Sequence, residues 1–296
     1  MTTIGTEEHP VVVGVDGSES ALHAVRWAAK EAARRQVPLR LVHVCFLMPV
    51  RYPQRLAPPP DYHDAILEQG RHWLNQAAEL ARTTAPDLPL STDLRDGVAA
   101  DVLVGESESA QLVVLGSLGL GGFLGLLVGS VSVALAAHAR CPVVVMQGPG
   151  GPPDTGPVVV GVDGSPLSDA AIEFAFIAAA GRRVPLVAVH AWLDLTMAGA
   201  WPALPDNVDW ERFATDEVRR LNEILASWSD KFPEVEVRKI VERDRPDRAL
   251  LKVAAGAQLV VVGSRGRGAL TGLGLGSVSQ SLLHHAECPV AVARAG

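Results

Sequence analysis

Leu112-Val-Val-Leu-Gly116-Ser-Leu-Gly119, followed after nine residues by Gly129-Ser130, is an apolar run that breaks into a glycine loop ahead of a helix-like stretch. The pattern returns 147 positions later as Leu259-Val-Val-Val-Gly263-Ser-Arg-Gly266, nine residues, and Gly276-Ser277. The interval holds elsewhere. Pro-Val-Val-Val-Gly-Val-Asp-Gly-Ser spans 10–18 and again 157–165, and Cys-Pro occurs at 141–142 and 288–289. One domain is written twice.

The 296 residues suffice for two domains of about 150, each able to bury a core. The expected division is a first domain at 1–147, a Gly/Pro-rich linker at 148–156 and a second domain at 157–296. Hydrophobic residues make up 48% and charged residues 20%, the balance of a globular rather than a disordered chain. Residues 1–148 carry 11 Lys/Arg against 15 Asp/Glu (net −4), and residues 149–296 carry 15 against 18 (net −3). With neither half basic, nucleic acid is not expected as a partner.

Three cysteines, of which Cys141 and Cys288 are repeat equivalents, do not make a disulfide framework and fit a reducing compartment. Residues 1–8 hold neither a basic nor an apolar segment, so no export signal is read and a cytoplasmic location is expected. The uncharged stretch 112–137 is long enough to suggest a membrane span. Its repeat equivalent contains Arg265 and Arg267, and its glycines would each weaken a helix by roughly 1 kcal/mol. No membrane span is expected.

Each half alternates β-branched runs with helical patterns. In the first, strands are expected at 11–15, 39–44, 91–95, 111–116 and 142–146. Helices are expected at 20–36, with an apolar stripe at Ala21, Val25, Ala28, Ala29 and Ala32, and at 62–83, 98–108 and 130–139. The second half repeats the order, with strands at 158–162, 186–190, 235–241, 258–263 and 289–293. Its helices are expected at 168–181, 211–229, 247–255 and 277–286, and irregular stretches fall at 48–60 and 192–210. The alternation predicts an α/β fold of two repeated, doubly wound domains, each a parallel sheet with helices on both faces. The continuous apolar runs 112–115 and 259–262 belong at central, doubly covered positions.

In an open parallel sheet, ligands bind beyond the carboxyl ends of the strands, where strand order reverses. Asp16-Gly17-Ser18 and Asp163-Gly164-Ser165 fall there. Ser165 precedes Pro166, as an N-cap before a first-position proline does, and Ser18 is read as the cap of the corresponding helix. Each aspartate has two readings: a carboxylate that accepts hydrogen bonds from a ligand, or one that stabilises the turn and the helix dipole. At the loop, Gly116 and Gly119 let backbone N–H groups approach an anion. Gly129-Ser130 opens a helix whose free N–H groups favour phosphate, with the Ser130 hydroxyl as a further donor. Gly-x2-Gly alone is a weak signal. The full Gly-x2-Gly-x9-Gly-Ser, twice in the same strand–helix setting, points to phosphate held twice.

On these residues both halves resemble universal stress protein domains of the ATP-binding subclass, whose motif is Gly-x2-Gly-x9-Gly-Ser/Thr. The resemblance covers nearly the whole chain, including Val-Gly-Val-Asp and the Cys-Pro before the last strand. It implies five-stranded sheets of order 3-2-1-4-5 in a tandem arrangement, with ATP as the ligand of each domain and Mg2+ held by its phosphates. In the first half it implies that Gly116, Ser117, Leu118, Gly119, Leu120, Gly121 and Gly122, with Gly129, Ser130 and Val131, hold ribose and phosphates. Gly14, Val15 and Asp16 would line the adenosine side, with the backbone near His43 and Val44. The matching second-half positions are Gly161, Val162 and Asp163, then Gly263, Ser264, Arg265, Gly266, Arg267, Gly268 and Ala269. Gly276, Ser277 and Val278 complete them, with the backbone near His190. The resemblance further implies pairing through the final strands, 142–146 and 289–293, which read as edges wanting cover; the two halves can pair within the chain as a pseudo-dimer, and two chains can pair again as a homodimer.

The copies are unequal. Arg265 and Arg267 stand where the first loop has Leu118 and Leu120. An arginine beside a triphosphate adds charge-assisted hydrogen bonds of roughly 1.5–3 kcal/mol each; the alternative is arginines that point to solvent. Phe123, Leu124, Leu126 and Leu127, against Leu270 and Leu273, either cover a nucleotide or pack against a partner. The expectation is a tighter second site.

His138-x2-Cys141 and His285-x2-Cys288 have metal-like spacing, but two ligands do not make a structural zinc site. Helix-terminal histidines and buried thiols are expected instead. His43 and His190 end the second strand of each half without an obvious nucleophile and are read as pocket-lining. Cys45 reads as a packed thiol, and Trp192, Trp201 and Trp210 as a lid or interface.

There is no Gly-x4-Gly-Lys-Ser/Thr loop and no Ser-Gly-Gly-x-Asp-Ser or His-Ile-Gly-His signature. No Lys lies between Lys30 and Lys231, and no catalytic residue is assigned. The expectation is an ATP-binding, stress-responsive regulatory protein with at most slow hydrolysis. Two other classes stay open: a nucleotide-independent scaffold, and a nucleotide hydrolase or adenylyl-transfer enzyme.

Overall fold

A computed structural model describes residues 9–47, 61–119, 128–147, 155–192, 210–266 and 274–294, with only the backbone at 166, 167 and 210. The irregular stretch at 48–60, most of the one at 192–210 and most of the expected linker at 148–156 lie outside the described residues. The chain divides into two compact units, Met1–Met146 and Gln147–Gly296.

In the first unit the order is β1 (Val11–Gly14), α1 (Glu19–Arg35), β2 (Leu39–Cys45), α2 (Tyr62–Thr84), β3 (Leu90–Asp96), α3 (Ala99–Glu106), β4 (Leu112–Gly116), α4 (Ser130–His138) and β5 (Val143–Met146). Every pairing is parallel, and the registers give β3-β2-β1-β4-β5. The second unit holds β6 (Val158–Gly161), α5 (Pro166–Arg182), β7 (Leu186–Ala191), α6 (Trp210–Lys231), β8 (Val237–Glu242), α7 (Pro246–Ala254), β9 (Leu259–Gly263), α8 (Ser277–His285) and β10 (Val290–Ala293). Its parallel order, β8-β7-β6-β9-β10, is the same arrangement. Both match the order 3-2-1-4-5.

That order places the site. Right-handed crossovers lead from β1 to β3 in one direction and from β4 to β5 in the other, so α1 and α2 cover one face and α3 and α4 the opposite face. Accordingly α1 packs against α2, and α3 against α4. The reversal leaves β1 beside β4 with a crevice at their carboxyl ends.

The central strands have no exposed side chain over Val11–Val13 and Leu112–Val114. Each such Val or Leu contributes about 1.5–3 kcal/mol by leaving water. α1 meets the sheet through Ala21, Ala24, Ala28, Ala29 and Ala32, small enough for close approach. At Gly116 a methyl would collide with Ser20 of α1, so the strand ends in glycine where the first turn of the helix presses on it.

Element ends depart from expectation by a residue or two. The strand expected from 235 begins at Val237, because Val235 is still in a turn, its amide donating to the Phe232 carbonyl. α1 and α5 end on left-handed residues that are not glycine, Gln36 (φ 57°) and Arg183 (φ 56°).

Candidate functional site

The turn after β1 is built from Asp16, Gly17 and Ser18. Gly17 has φ 83° and its counterpart Gly164 φ 72°, a region that glycine enters without strain. Asp16 Oδ1 accepts from the Ser18 amide (3.0 Å) and hydroxyl (2.6 Å), and Ser18 Oγ accepts from the Ala21 amide (3.1 Å), capping α1. In the second unit Asp163 Oδ1 accepts from the Ser165 amide (2.9 Å). Ser165 occupies the N-cap, but its hydroxyl makes no cap bond and is buried without a partner among the described residues. The expected Ser165 cap is therefore one of position only; Pro166 presets the helical φ there without side-chain help.

The turn-stabilising reading of the aspartate is seen in both units. Oδ1 of Asp16 holds the turn, while Oδ2 faces Gly119, where an added methyl would collide with it. A methyl on Gly266 would likewise stand 2.8 Å from Asp163 Oδ2.

The loop ends are pinned together in both units. The Gly129 amide donates to Ser117 O (2.6 Å) and the Gly276 amide to Ser264 O (2.8 Å). Ser132 Oγ donates to Gly116 O (2.9 Å) and Ser279 Oγ to Gly263 O (2.7 Å). Each nine-residue spacer thus leaves and rejoins the fold at one place, between strand end and helix start. α4 and α8 begin at glycine N-caps that supply no side-chain acceptor, so their first-turn N–H groups remain as donors for an anion.

In the first unit these parts enclose a cavity of about 380 Å³, within the roughly 300–1,000 Å³ of small-ligand sites. Gly14, Val15, Asp16, Val44, Gly116, Ser117, Leu118, Gly119, Gly129, Ser130 and Val131 all line it. Leu120, Gly121, Gly122 and the apolar residues Phe123, Leu124, Leu126 and Leu127 lie outside the described residues. Ser18, Ala21, Ala99, Leu103 and Ser132 line the cavity without having been anticipated. Ser132 had a signal, the second serine of Gly-Ser-Val-Ser present in both halves. Ala99 and Leu103 had none, since only the β3–α3–β4 crossover brings α3 to this crevice. Among the described lining residues Asp16 is the one carboxylate, and there is no Lys or Arg.

In the second unit Gly161, Val162 and Asp163 stand at the end of β6, Gly263, Ser264, Arg265 and Gly266 at the end of β9, and Gly276, Ser277 and Val278 at the start of α8. Arg267, Gly268, Ala269, Leu270 and Leu273 lie outside the described residues. Arg265 Nε is buried and has no hydrogen-bond partner among the described residues.

His43 and His190 brace the walls of the two sites. A carbonyl can only accept, so Nδ1 of His43 donates to Val15 O and Nδ1 of His190 to Val162 O, each at 2.7 Å. The His43 ring stands edge-on to Trp73 (5.1 Å, 72°). His190 Nε2 instead bonds Glu217 Oε2 at 2.8 Å.

His138 and His285 end α4 and α8, and Cys141 and Cys288 are buried. Burial pushes both thiols up to about 12. Burial also raises the Cys45 thiol, with the Asp96 charge adding to it and a backbone hydrogen bond opposing it. Among the described residues no three His, Cys, Asp or Glu side chains are grouped to hold a metal ion. No helix among them is long and apolar enough to cross a membrane. Trp192 stacks on Phe213 (6.0 Å) under the Arg243 guanidinium (5.7 Å); Trp201 and the Trp210 side chain lie outside the described residues.

Fold and site together define a tandem α/β chain with a glycine loop at each topological switch point. The model of the universal stress protein family matches residues 8–147 and 155–294, and the chain belongs to that family, with two copies of its domain. A universal stress protein of Mycobacterium tuberculosis is 41% identical over 295 residues, covering 97% of this chain and 98% of its own. The crystal structure of a universal stress protein from Archaeoglobus fulgidus, 20% identical, superposes with a TM-score of 0.70 over 98% of this chain and 99% of its own, and so shares the fold. A universal stress protein solved in complex with cAMP is 26% identical over 47% of this chain and 95% of its own (TM-score 0.36).

Proposed function

We propose that this universal stress protein is an ATP-binding regulatory protein of the stress response, with one nucleotide site per domain. The observation that carries the proposal is the uncapped N-terminus of α4 opening into a cavity whose other wall is the Asp16 turn. Such a helix start, with its orphan N–H groups and positive dipole end, favours phosphate. Gly119 lacks the methyl that would meet Asp16 Oδ2, which leaves that oxygen free to accept from a ribose hydroxyl or base amine. With a single carboxylate among the described lining residues, Mg2+ would be held by the phosphates rather than by a protein cage.

The second site has the same turn and the same pinned loop, with Arg265 added. Its Nε, buried and without a partner among the described residues, supports an arginine that serves the phosphates, and the second site is the tighter of the two. Among the described residues the wall histidines are held by the fold: Nδ1 of each donates to a backbone carbonyl, Nε2 of His43 lies towards Gly70 of α2, and Nε2 of His190 bonds Glu217, which supports weak water activation. Hydrolysis is therefore slow, and nucleotide acts by occupancy. The working form is a cytoplasmic homodimer that pairs through the final strands.

The protein as purified is to be denatured and the released nucleotide identified by chromatography. ATP near two equivalents is expected; none released, followed by no binding on titration, would leave a nucleotide-independent scaffold. Multiple turnovers per minute with Mg-ATP would make it an enzyme. Titration of Asp16→Ala and Asp163→Ala is expected to show the greater loss for Asp163→Ala, and equal losses would sink the inequality.

A further inference from the structure

We infer that Glu217 is a positioning residue of the second nucleotide site, a role that has no counterpart in the first. The inference rests on the reading of each glycine loop as a nucleotide site.

The carbonyl just before each site aspartate, Val15 O or Val162 O, is held by a histidine from the neighbouring strand at the same distance, 2.7 Å. The device is duplicated; what holds the histidine is not. The 147-residue offset pairs Gly70 with Glu217 and Trp73 with Arg220. In the first unit α2 passes so close to His43 that a methyl on Gly70 would stand 2.6 Å from the ring, and Trp73 meets the ring edge-on. Packing fixes that imidazole. In the second unit the corresponding space is filled by the Glu217 carboxylate, which bonds His190 Nε2 at 2.8 Å.

Proton accounting makes this bond specific. Nδ1 must carry hydrogen to bond the Val162 carbonyl, so the contact between Nε2 and Oε2 shares one further proton between the ring nitrogen and the carboxylate. His190 is only 3% exposed, so without Glu217 its Nε2 would be left buried and unpaired. Two acids on neighbouring elements have partners of their own. His190 pairs in register with Val241 of β8, and the next residue, Glu242, is held by Lys252 of α7 (3.1 Å). Asp163 turns Oδ1 to the Ser165 amide. Glu217, on α6, therefore sets the ring that sets the Val162 carbonyl, and ties α6 to the adenosine side of the second site.

The test uses the full chain with the first site disabled by Gly119→Ala, titrated with ATP by calorimetry, alongside 15N NMR of the His190 ring. Glu217→Ala is expected to lower the remaining affinity on the order of tenfold, as loss of a ligand-orienting partner does elsewhere. The ring signals should change from one fixed state to an average of tautomers. Glu217→Gln, whose amide can donate to a neutral Nε2, should recover most of the affinity. Affinity within twofold of the parent for Glu217→Ala, or lost affinity with unchanged ring signals, would overturn the inference alone. If the unmodified chain and the Gly119→Ala parent both bind no ATP, the nucleotide reading falls and the inference with it. Should Glu217→Ala not fold, Glu217→Asp keeps the charge and shortens the reach. It is expected to lose affinity and free the ring, and parent-like values there would overturn the inference.

Discussion

At the scale of single residues, Asp16 holds its turn through Oδ1, and substitutions should separate that role from the nucleotide contact proposed for Oδ2. Asn keeps an oxygen for the Ser18 amide and hydroxyl but removes the charge. Asp16→Asn is expected to lose first-site nucleotide with a melting temperature near wild type, whereas Asp16→Ala also costs about 1–3 kcal/mol of stability by stranding those donors. Chemical denaturation with parallel nucleotide titration distinguishes the two. The buried thiols give a second residue-scale prediction. With Cys141 and Cys288 pushed up to about 12, no thiolate is available near neutrality, so a thiol reagent at pH 8 should label neither until denaturant is added. Because the folded value lies above the unfolded one, this contribution to stability is complete below about pH 9 and is lost as pH rises towards about 12. Alkaline melting curves read it directly.

At the scale of elements, matching helix starts carry different loads. Ser18 caps α1 through Oγ, so Ser18→Ala should cost about 1 kcal/mol. Ser165→Ala should be neutral or slightly stabilising, since the hydroxyl it removes is buried and unpartnered among the described residues. Urea midpoints of the two variants test the contrast. Helix ends offer the opposite opportunity. Gln36 is left-handed at φ 57°, a conformation that costs a side-chain-bearing residue about 1–2 kcal/mol and glycine nearly nothing. After the entropy glycine loses on folding, Gln36→Gly should raise stability by roughly 0.5 kcal/mol. The alternation of elements was legible from periodicity, because strand and helix impose different repeats on the same apolar residues. Their ends were less so: whether Val235 extends β8 or turns back to Phe232 depends on a single backbone bond.

For the whole molecule, duplication makes each unit a control for the other. A ligand that binds only the folded state stabilises it by about 2.7 kcal/mol at a hundred times its Kd. ATP should therefore raise the melting temperature of the wild type, and Asp163→Ala should remove more of that gain than Asp16→Ala. A thermal melt with and without ATP decides it. The cavity of the first unit was partly legible, because turn and loop glycines announce themselves locally. Its α3 wall, Ala99 and Leu103, was not, because a crossover brings it in from the far side of the sheet.

The amino-acid sequence by itself determined the duplication, the α/β class, the turn glycines and the placing of both loops at strand ends. These follow from local chemistry: side-chain periodicity, backbone freedom and the spacing of like segments. The tertiary structure decided which Asp16 oxygen holds the turn, that Ser132 and Ser279 close the loops, and that Glu217 reaches His190 where Gly70 lets packing fix His43. Those depend on side chains from separate elements meeting within hydrogen-bond distance, and the approach of two elements is set by how the entire layer packs.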